Sequence, residues 1–280
     1  MLLYLTGAEL AELEATLDAP GTDRAETLVA LAWHLRQRDS ARAMSLSSEA
    51  AALLAGRPGL QARNALTRCE VLALYCRIDE SEAQLAEARS LLSADGVDPL
   101  TEADALLAEA AVAKARGQRS RELDAYSRNV AFLAGRDDQR RQRIAQAWAG
   151  YENTFGEPET SDAIEGVTSS GFRSDPDLAC AALLGAAQAL KQSRRDPARA
   201  ARLFLQASEQ ARQTGLIRHA FVCTLNAGTA LRSLSSFDQA AACYEAATEL
   251  ARQAGWPVLV GASGTQLAAL LMELGRLEES

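Results

Sequence analysis

The chain is short of strand-forming residues: 58 alanines face only 13 valines and isoleucines together in 280 residues, and aromatics make up 5%. Strands favour β-branched and aromatic side chains, whereas alanine is the best helix former. A substantial β-sheet is thereby excluded, and the expected fold class is all-α. Positive charge is also in short supply. Only two lysines, Lys114 and Lys191, accompany 27 arginines, and the net charge is −8. Nucleic-acid binding needs cations that displace phosphate counterions, so no nucleic-acid partner is expected.

Histidine and cysteine are scarce. The two histidines, His34 and His219, and the five cysteines, Cys69, Cys76, Cys180, Cys223 and Cys243, form no CxxC, HExxH or cysteine–histidine cluster. No metal site and no cofactor is expected. An odd, scattered set of cysteines is not a disulfide framework. Cys69 and Cys76 lie seven apart and read as one face of a helix, where a thiol behaves as a small hydrophobe. Buried free thiols and a cytoplasmic setting follow as expectations. Long apolar runs are missing too. Met1-Leu2-Leu3-Tyr4-Leu5 is too short for a secretory signal and has no basic flank. The longest uncharged run, 255–272, spans 18 residues but holds a proline, three glycines and three polar side chains. It reads as a buried helix, so no membrane partner is expected.

What the chain does have is self-similarity. Ala207-Ser208-Glu209-Gln210-Ala211-Arg212-Gln213-Thr214-Gly215 matches Ala247-Thr248-Glu249-Leu250-Ala251-Arg252-Gln253-Ala254-Gly255 further along the chain. Each ends in a glycine suited to a helix C-terminus. The step between them is a period of about 40 residues, in the range that marks a repeat architecture. Extending it gives Ala43, Ala83, Leu123, Ala163, Ala200, Ala240 and Ser280, evenly spaced except for a slightly shorter gap between Ala163 and Ala200. Ahead of these positions stand Asp39-Ser40, Asp79-Glu80-Ser81, Arg119-Ser120, Glu159-Thr160-Ser161, Asp196-Pro197 and Ser236-Phe237-Asp238. Their side-chain oxygens suit helix N-caps, and Pro197 suits a first helical position. Each unit reads as helix A, tight turn, helix B and link. Segments 25–37 with 40–55, and Ile217–Ser233 with Phe237–Ala254, are two such pairs.

A helical hairpin cannot bury its apolar stripe alone, so neighbours stack into a continuous core. The expectation is about thirteen helices in antiparallel pairs, stacked as a right-handed α-solenoid with helix A on the concave side. Residues 1–19, with Leu10, Leu13 and Leu17, read as an N-terminal capping helix, and residues 22–280 as the repeat domain, its last repeat incomplete.

Leu225-Asn226-Ala227-Gly228-Thr229-Ala230-Leu231-Arg232-Ser233-Leu234-Ser235-Ser236-Phe237-Asp238-Gln239-Ala240, with Tyr244 and Ala247, resembles a tetratricopeptide repeat. In that family a small residue of helix A lets helix B approach, and an alanine and an aromatic of helix B fill the gap. The resemblance assigns those roles to Gly228, Ala240, Tyr244 and Ala247. Leu267-Ala268, Leu271 and Leu274-Gly275-Arg276-Leu277 repeat the first half of the pattern, and Ala200, Phe204 and Ala207 match its helix B. The family period is shorter, about 34 residues, so the helices here are longer.

Few residues invite catalytic chemistry. His34, within Leu31-Ala32-Trp33-His34-Leu35, reads as a satisfied structural histidine. Gly261-Ala262-Ser263-Gly264 has the spacing of a nucleophile elbow but no preceding strand and no partner histidine. The acidic pairs Asp137-Asp138 and Glu278-Glu279 read as solvated charges. The expected site lies on helix A of the last two units. Asn226 and Gln266 occupy equivalent positions, one step of the repeat apart. Each amide offers donors and an acceptor to the backbone of an extended peptide, or else links one repeat to the next. Thr229 and Ser233 continue the Asn226 face, and Arg232 is placed to pair with a carboxylate. The resemblance adds that peptide-binding members often carry an asparagine at this position.

Residues 28–43, Leu28-Val29-Ala30-Leu31-Ala32-Trp33-His34-Leu35-Arg36-Gln37-Arg38-Asp39-Ser40-Ala41-Arg42-Ala43, resemble the first repeat of helical sensor regions ahead of bacterial output domains, notably GGDEF diguanylate cyclases. Together these features lead to an expected non-catalytic region that binds protein or peptide and regulates such an output domain. A ligand- or autoinducer-sensing domain of a LuxR-type regulator, or a structural dimerisation arm forming a homodimer, are the other readings. Ser280, early in a helix B, carries the expectation that the chain is the N-terminal piece of a longer protein.

Overall fold

The computed structural model describes residues 2–17, 19–156 and 178–275. Among them are thirteen helices and no strand. In chain order these are α1 (Gly7–Ala15), α2 (Arg24–Leu35), α3 (Ser40–Ala51), α4 (Pro58–Leu74), α5 (Ile78–Leu91), α6 (Leu100–Ala115) and α7 (Arg119–Leu133). There follow α8 (Gln139–Gly156), α9 (Leu178–Gln192), α10 (Pro197–Thr214), α11 (Ile217–Ser233), α12 (Phe237–Ala254) and α13 (Pro257–Glu273). The chain divides into two compact units, residues 1–145 and 146–280. Asp18, Glu159-Thr160-Ser161, Ala163, Arg276, Leu277, Glu278-Glu279 and Ser280 lie outside the described residues.

Helix starts use two devices. Asp39 and Asp196 cap α3 and α10, each accepting the backbone N–H three residues on at 2.9 Å, and Pro197 opens α10. The expected caps before α5, α7 and α12 are not formed: Arg77, Gln118 and Ser236 hold the N-cap position without a side-chain bond. Instead the chain reverses through one left-handed residue, Cys76 (φ 57°), Gly117 (φ 72°) or Ser235 (φ 57°). The next N–H then reaches back to the carbonyl of Leu72, Ala113 or Leu231, at 2.8–3.0 Å. These bonds satisfy orphan carbonyls at the end of helix A.

Counting from these turns corrects the repeat register. The fourth residue of each helix B is buried: Ala43, Ser81, Glu122, Ala200 and Ala240. Ala83 is exposed and Leu123 only half-buried, so Ser81 and Glu122 are the true equivalents. Helix α3 also stops at Ala51 rather than Ala55. Cys76 is another correction. It lies past the end of α4 and is exposed, while the other four cysteines are buried, and all five are free.

In the first unit α2–α3, α4–α5 and α6–α7 pack as hairpins, α3 rests on α4 and α5 on α6, and α2 also touches α4, as α4 does α6. Leu10 and Leu13 of α1, with Leu17 just past its end, close the core around Leu28, Leu31 and Leu35. Ahead of that helix, residues 2–5 form an arm with Leu3 and Tyr4 buried. Trp33 Nε1 donates to the Leu2 carbonyl at 3.2 Å, and Arg38 to that of Leu5 at 2.7 Å.

The second unit packs α9 through α13 in sequence order, each helix on the next. Helices α10 and α12 end alike, in Gly215 and Gly255, both at φ 79°. Leu216 and Trp256 then donate back to Ala211 and Ala251 at 2.9 and 2.8 Å. Both side chains are fully buried, completing a Schellman end with its apolar contact. Nothing but glycine adopts that angle without steric cost.

Candidate functional site

Helices α11 and α13 position every residue of the expected face. α11 is brought close to α12 by Gly228, where an added Cβ would lie 2.6 Å from Tyr244 Cε1 and 2.9 Å from Cδ1. Tyr244 is fully buried there beside Ala240 and Leu270. Hydroxyl pairs fasten successive helices: Ser208 to Thr224 at 2.7 Å between α10 and α11, and Thr248 to Ser263 at 2.9 Å between α12 and α13. Ser263 is fully buried mid-helix and also lies 3.0 Å from the Leu259 carbonyl. Its environment is that of a helix-packing hydroxyl, with no strand-to-helix turn to expose it.

Asn226 and Gln266 are both half-buried, and among the described residues neither amide makes a hydrogen bond. The repeat-to-repeat amide link weighed from the sequence is therefore not formed. Thr229 and Ser233 are accessible, but their hydroxyls donate to the Leu225 and Ala230 carbonyls at 3.2 and 2.6 Å. They offer lone pairs only. Arg232 already has a carboxylate: Nε and one terminal nitrogen lie 2.8 and 2.6 Å from Glu273 Oε2. Hydrogen bonding to Glu273 raises the guanidinium further above its ordinary value. That ion pair links α11 to α13 across the intervening helix α12.

No protein-family model matches the chain, and no curated protein matches it. What the face does must be read from its own chemistry.

Elsewhere the structure departs from the sequence reading. His34 is buried, but its Nδ1 has no hydrogen-bond partner, so it is not the satisfied histidine expected. Burial, reinforced by Arg36 and Arg63, pushes its pKa down to about 3. Asp138 is not merely solvated: it accepts the Arg141 N–H at 2.9 Å and pairs with that side chain at 3.3 Å. Burial pushes the Cys69 thiol up to about 12, so it behaves as a packed, unreactive group. No helix among the described residues is long and apolar enough to cross a membrane.

Sequence reasoning missed the buried charges of the first unit. Asp104, with no side-chain exposure, bonds both Arg63 and Arg141. Arg36 stacks 3.8 Å over the Trp33 ring and pairs with Glu70 at 2.6 Å. Glu109 gathers Arg89, Arg121 and Arg128. A signal was present at Asp104, which falls in phase with the apolar stripe Leu100, Ala103 and Leu107.

Proposed function

We propose that this chain is a tetratricopeptide-like, right-handed solenoid that binds an extended peptide segment of a partner protein and does no chemistry of its own. The observation that carries this reading is the pair Asn226 and Gln266. Two half-buried amides, on two helices linked by the Arg232–Glu273 pair, keep their full hydrogen-bonding capacity. A half-exposed amide is free to exchange its hydrating water for a protein partner, and a peptide backbone supplies the matching donor and acceptor. The matched helix ends at Gly215 and Gly255, and the Gly228–Tyr244 contact, support the repeat. Thr229 and Ser233 rim the face, and the Arg232–Glu273 pair closes one end of it. In its native setting the region would sense that partner and regulate an output domain. The resemblance of residues 28–43 favours a diguanylate cyclase for that role.

The test is selection of peptides from a displayed random library, followed by photo-crosslinking from a benzophenone amino acid placed at Thr229. Crosslinking that disappears when free peptide competes supports the face. Selected peptides that never crosslink from Thr229 overturn it.

A further inference from the structure

Unit 1 holds a feature that the peptide reading does not use: an open cleft of about 520 Å³ formed by the N-terminal arm, α1 and α2. Clefts of about 300–1,000 Å³ take small organic ligands. Leu2 and Leu5 of the arm, Leu13 of α1 and Ala30 of α2 give it an apolar wall. Asp23, Glu26, Thr27, Ala30 and His34 follow one another along α2 at helical spacing.

The polar groups lining it share one property: they accept hydrogen bonds. Thr16, Thr22 and Thr27 donate their hydroxyl protons to the carbonyls of Leu13, Ala19 and Asp23 at 2.7, 2.7 and 3.1 Å. Only their lone pairs are left for a ligand. Asp23 is held at about 2 by Arg57 and by the Glu26 N–H and stays ionised, its charge already compensated by Arg57. Glu26 is exposed, and among the described residues its carboxylate makes no hydrogen bond or direct ion pair, although it lies within electrostatic reach of Arg57, which Asp23 pairs. His34 is 8% exposed, with Nδ1 shielded and unpartnered. Its imidazole is neutral at pH 7 and so keeps one accepting nitrogen. No lysine or arginine lines the cleft.

We propose that this cleft binds a small organic cation with an apolar body: an ammonium at Glu26, a hydrocarbon chain along Leu2, Leu5, Leu13 and Ala30, and a neutral hydroxyl or N–H donor at His34. A lining of acceptors with one carboxylate not engaged in a direct ion pair selects for donors and positive charge and against anions. The far end is neutral because burial, with Arg36 and Arg63 nearby, keeps His34 uncharged, and the same arginines repel a second cation. Glu26 and His34 are eight positions apart on α2, which is roughly 12 Å at 1.5 Å per residue. An eight-carbon amino alcohol spans that distance when extended. The proposal is independent of the α11–α13 face, because every residue it uses belongs to the first unit.

The experiment is calorimetric titration of the full chain with 8-amino-1-octanol, with 8-hydroxyoctanoate as the charge-reversed control. Saturable binding of the amine, none of the carboxylate, and at least a fivefold weaker affinity in Glu26→Gln are expected. Ala30→Leu, which fills the cleft from a half-buried helical position, should abolish binding, while Asn226→Ala with Gln266→Ala should leave it unchanged. Absence of saturable amine binding, equal binding of both probes, or an unaltered affinity in Glu26→Gln would overturn the proposal. Glu26 is exposed, so that variant folds even where Ala30→Leu does not.

Discussion

Gly228 and Tyr244 are in such close contact that the position tolerates no side chain: an added Cβ would meet the tyrosine ring at 2.6 Å and Cys243 Cβ at 3.1 Å. Alanine normally stabilises a helix interior over glycine by about 0.5–1 kcal/mol. Here forcing a methyl into a filled core costs about 1–3 kcal/mol, and the clash wins. Gly228→Ala should lower stability by roughly 1–2 kcal/mol in urea unfolding. Gly261→Ala, with nothing within 4 Å, should raise it by about 0.5 kcal/mol. Equal effects of the two substitutions would contradict the close approach.

The left-handed turns make an opposite prediction. Cys76 and Ser235 sit at φ 57°, a conformation that costs an L-residue about 1–2 kcal/mol. Glycine relieves that strain, and its freer unfolded chain offsets about 0.4–1 kcal/mol of the gain. Cys76→Gly and Ser235→Gly should each raise the melting temperature by a few degrees. A lowered melting temperature in both would show that the side chains contribute more than the turns cost.

Asp104 holds two buried guanidiniums. Replacing it with asparagine leaves buried Arg63 without its carboxylate and Arg141 with only Asp138, and breaking such a buried pair costs about 3–5 kcal/mol. Asp104→Asn should therefore destabilise the chain far more than Arg232→Ala, whose exposed pair with Glu273 contributes under about 1 kcal/mol. Chemical denaturation curves of the two variants separate these magnitudes. A comparable loss in the two would contradict the buried network.

Acid should act in two stages. His34 is held near 3 against an ordinary 6.5, so the unfolded chain binds a proton that the folded one refuses. Stability should fall as pH drops from about 6.5 toward 3. Asp104 joins lower down. Burial alone would raise its carboxyl, yet Arg63 and Arg141 outweigh burial and keep it below the ordinary 3.8. Its contribution is complete above that value and is lost as pH falls through the depressed one. His34→Gln should flatten the first stage only. An unchanged slope between pH 6.5 and 4 in that variant would show that another group is responsible.

Two helices were legible to the residue: Ile217–Ser233 and Phe237–Ala254 coincide with α11 and α12. There the repeat step, the glycine ends and the spacing of apolar residues agree with one another. Earlier in the chain alanine is so frequent that a register built on it is degenerate, which is how Ala83 and Leu123 stood in for Ser81 and Glu122. The turns that set the true register use Cys76 and Ser235 at an angle usually reserved for glycine, so composition gave no cue. The Asp104 network was hidden for a related reason. The phase of Asp104 with the apolar stripe marks it as buried, but its two arginine partners lie 41 and 37 positions away, beyond the reach of any local pattern. At the candidate face, the positions were readable but the partnership of Arg232 with Glu273 was not, because it joins two repeats.

The most direct measurement is the affinity of a library-selected peptide for the wild-type chain and for Asn226→Ala with Gln266→Ala, taken alongside their melting temperatures. Neither amide makes a hydrogen bond within the described residues, so the double variant should melt within about 2 °C of wild type, as surface changes within ±0.5 kcal/mol do. Each lost peptide hydrogen bond should remove about 0.5–1.5 kcal/mol of binding, for a combined loss near tenfold. Peptide affinity that survives the double substitution unchanged, or a melting temperature that collapses with it, would contradict a binding role for these two residues.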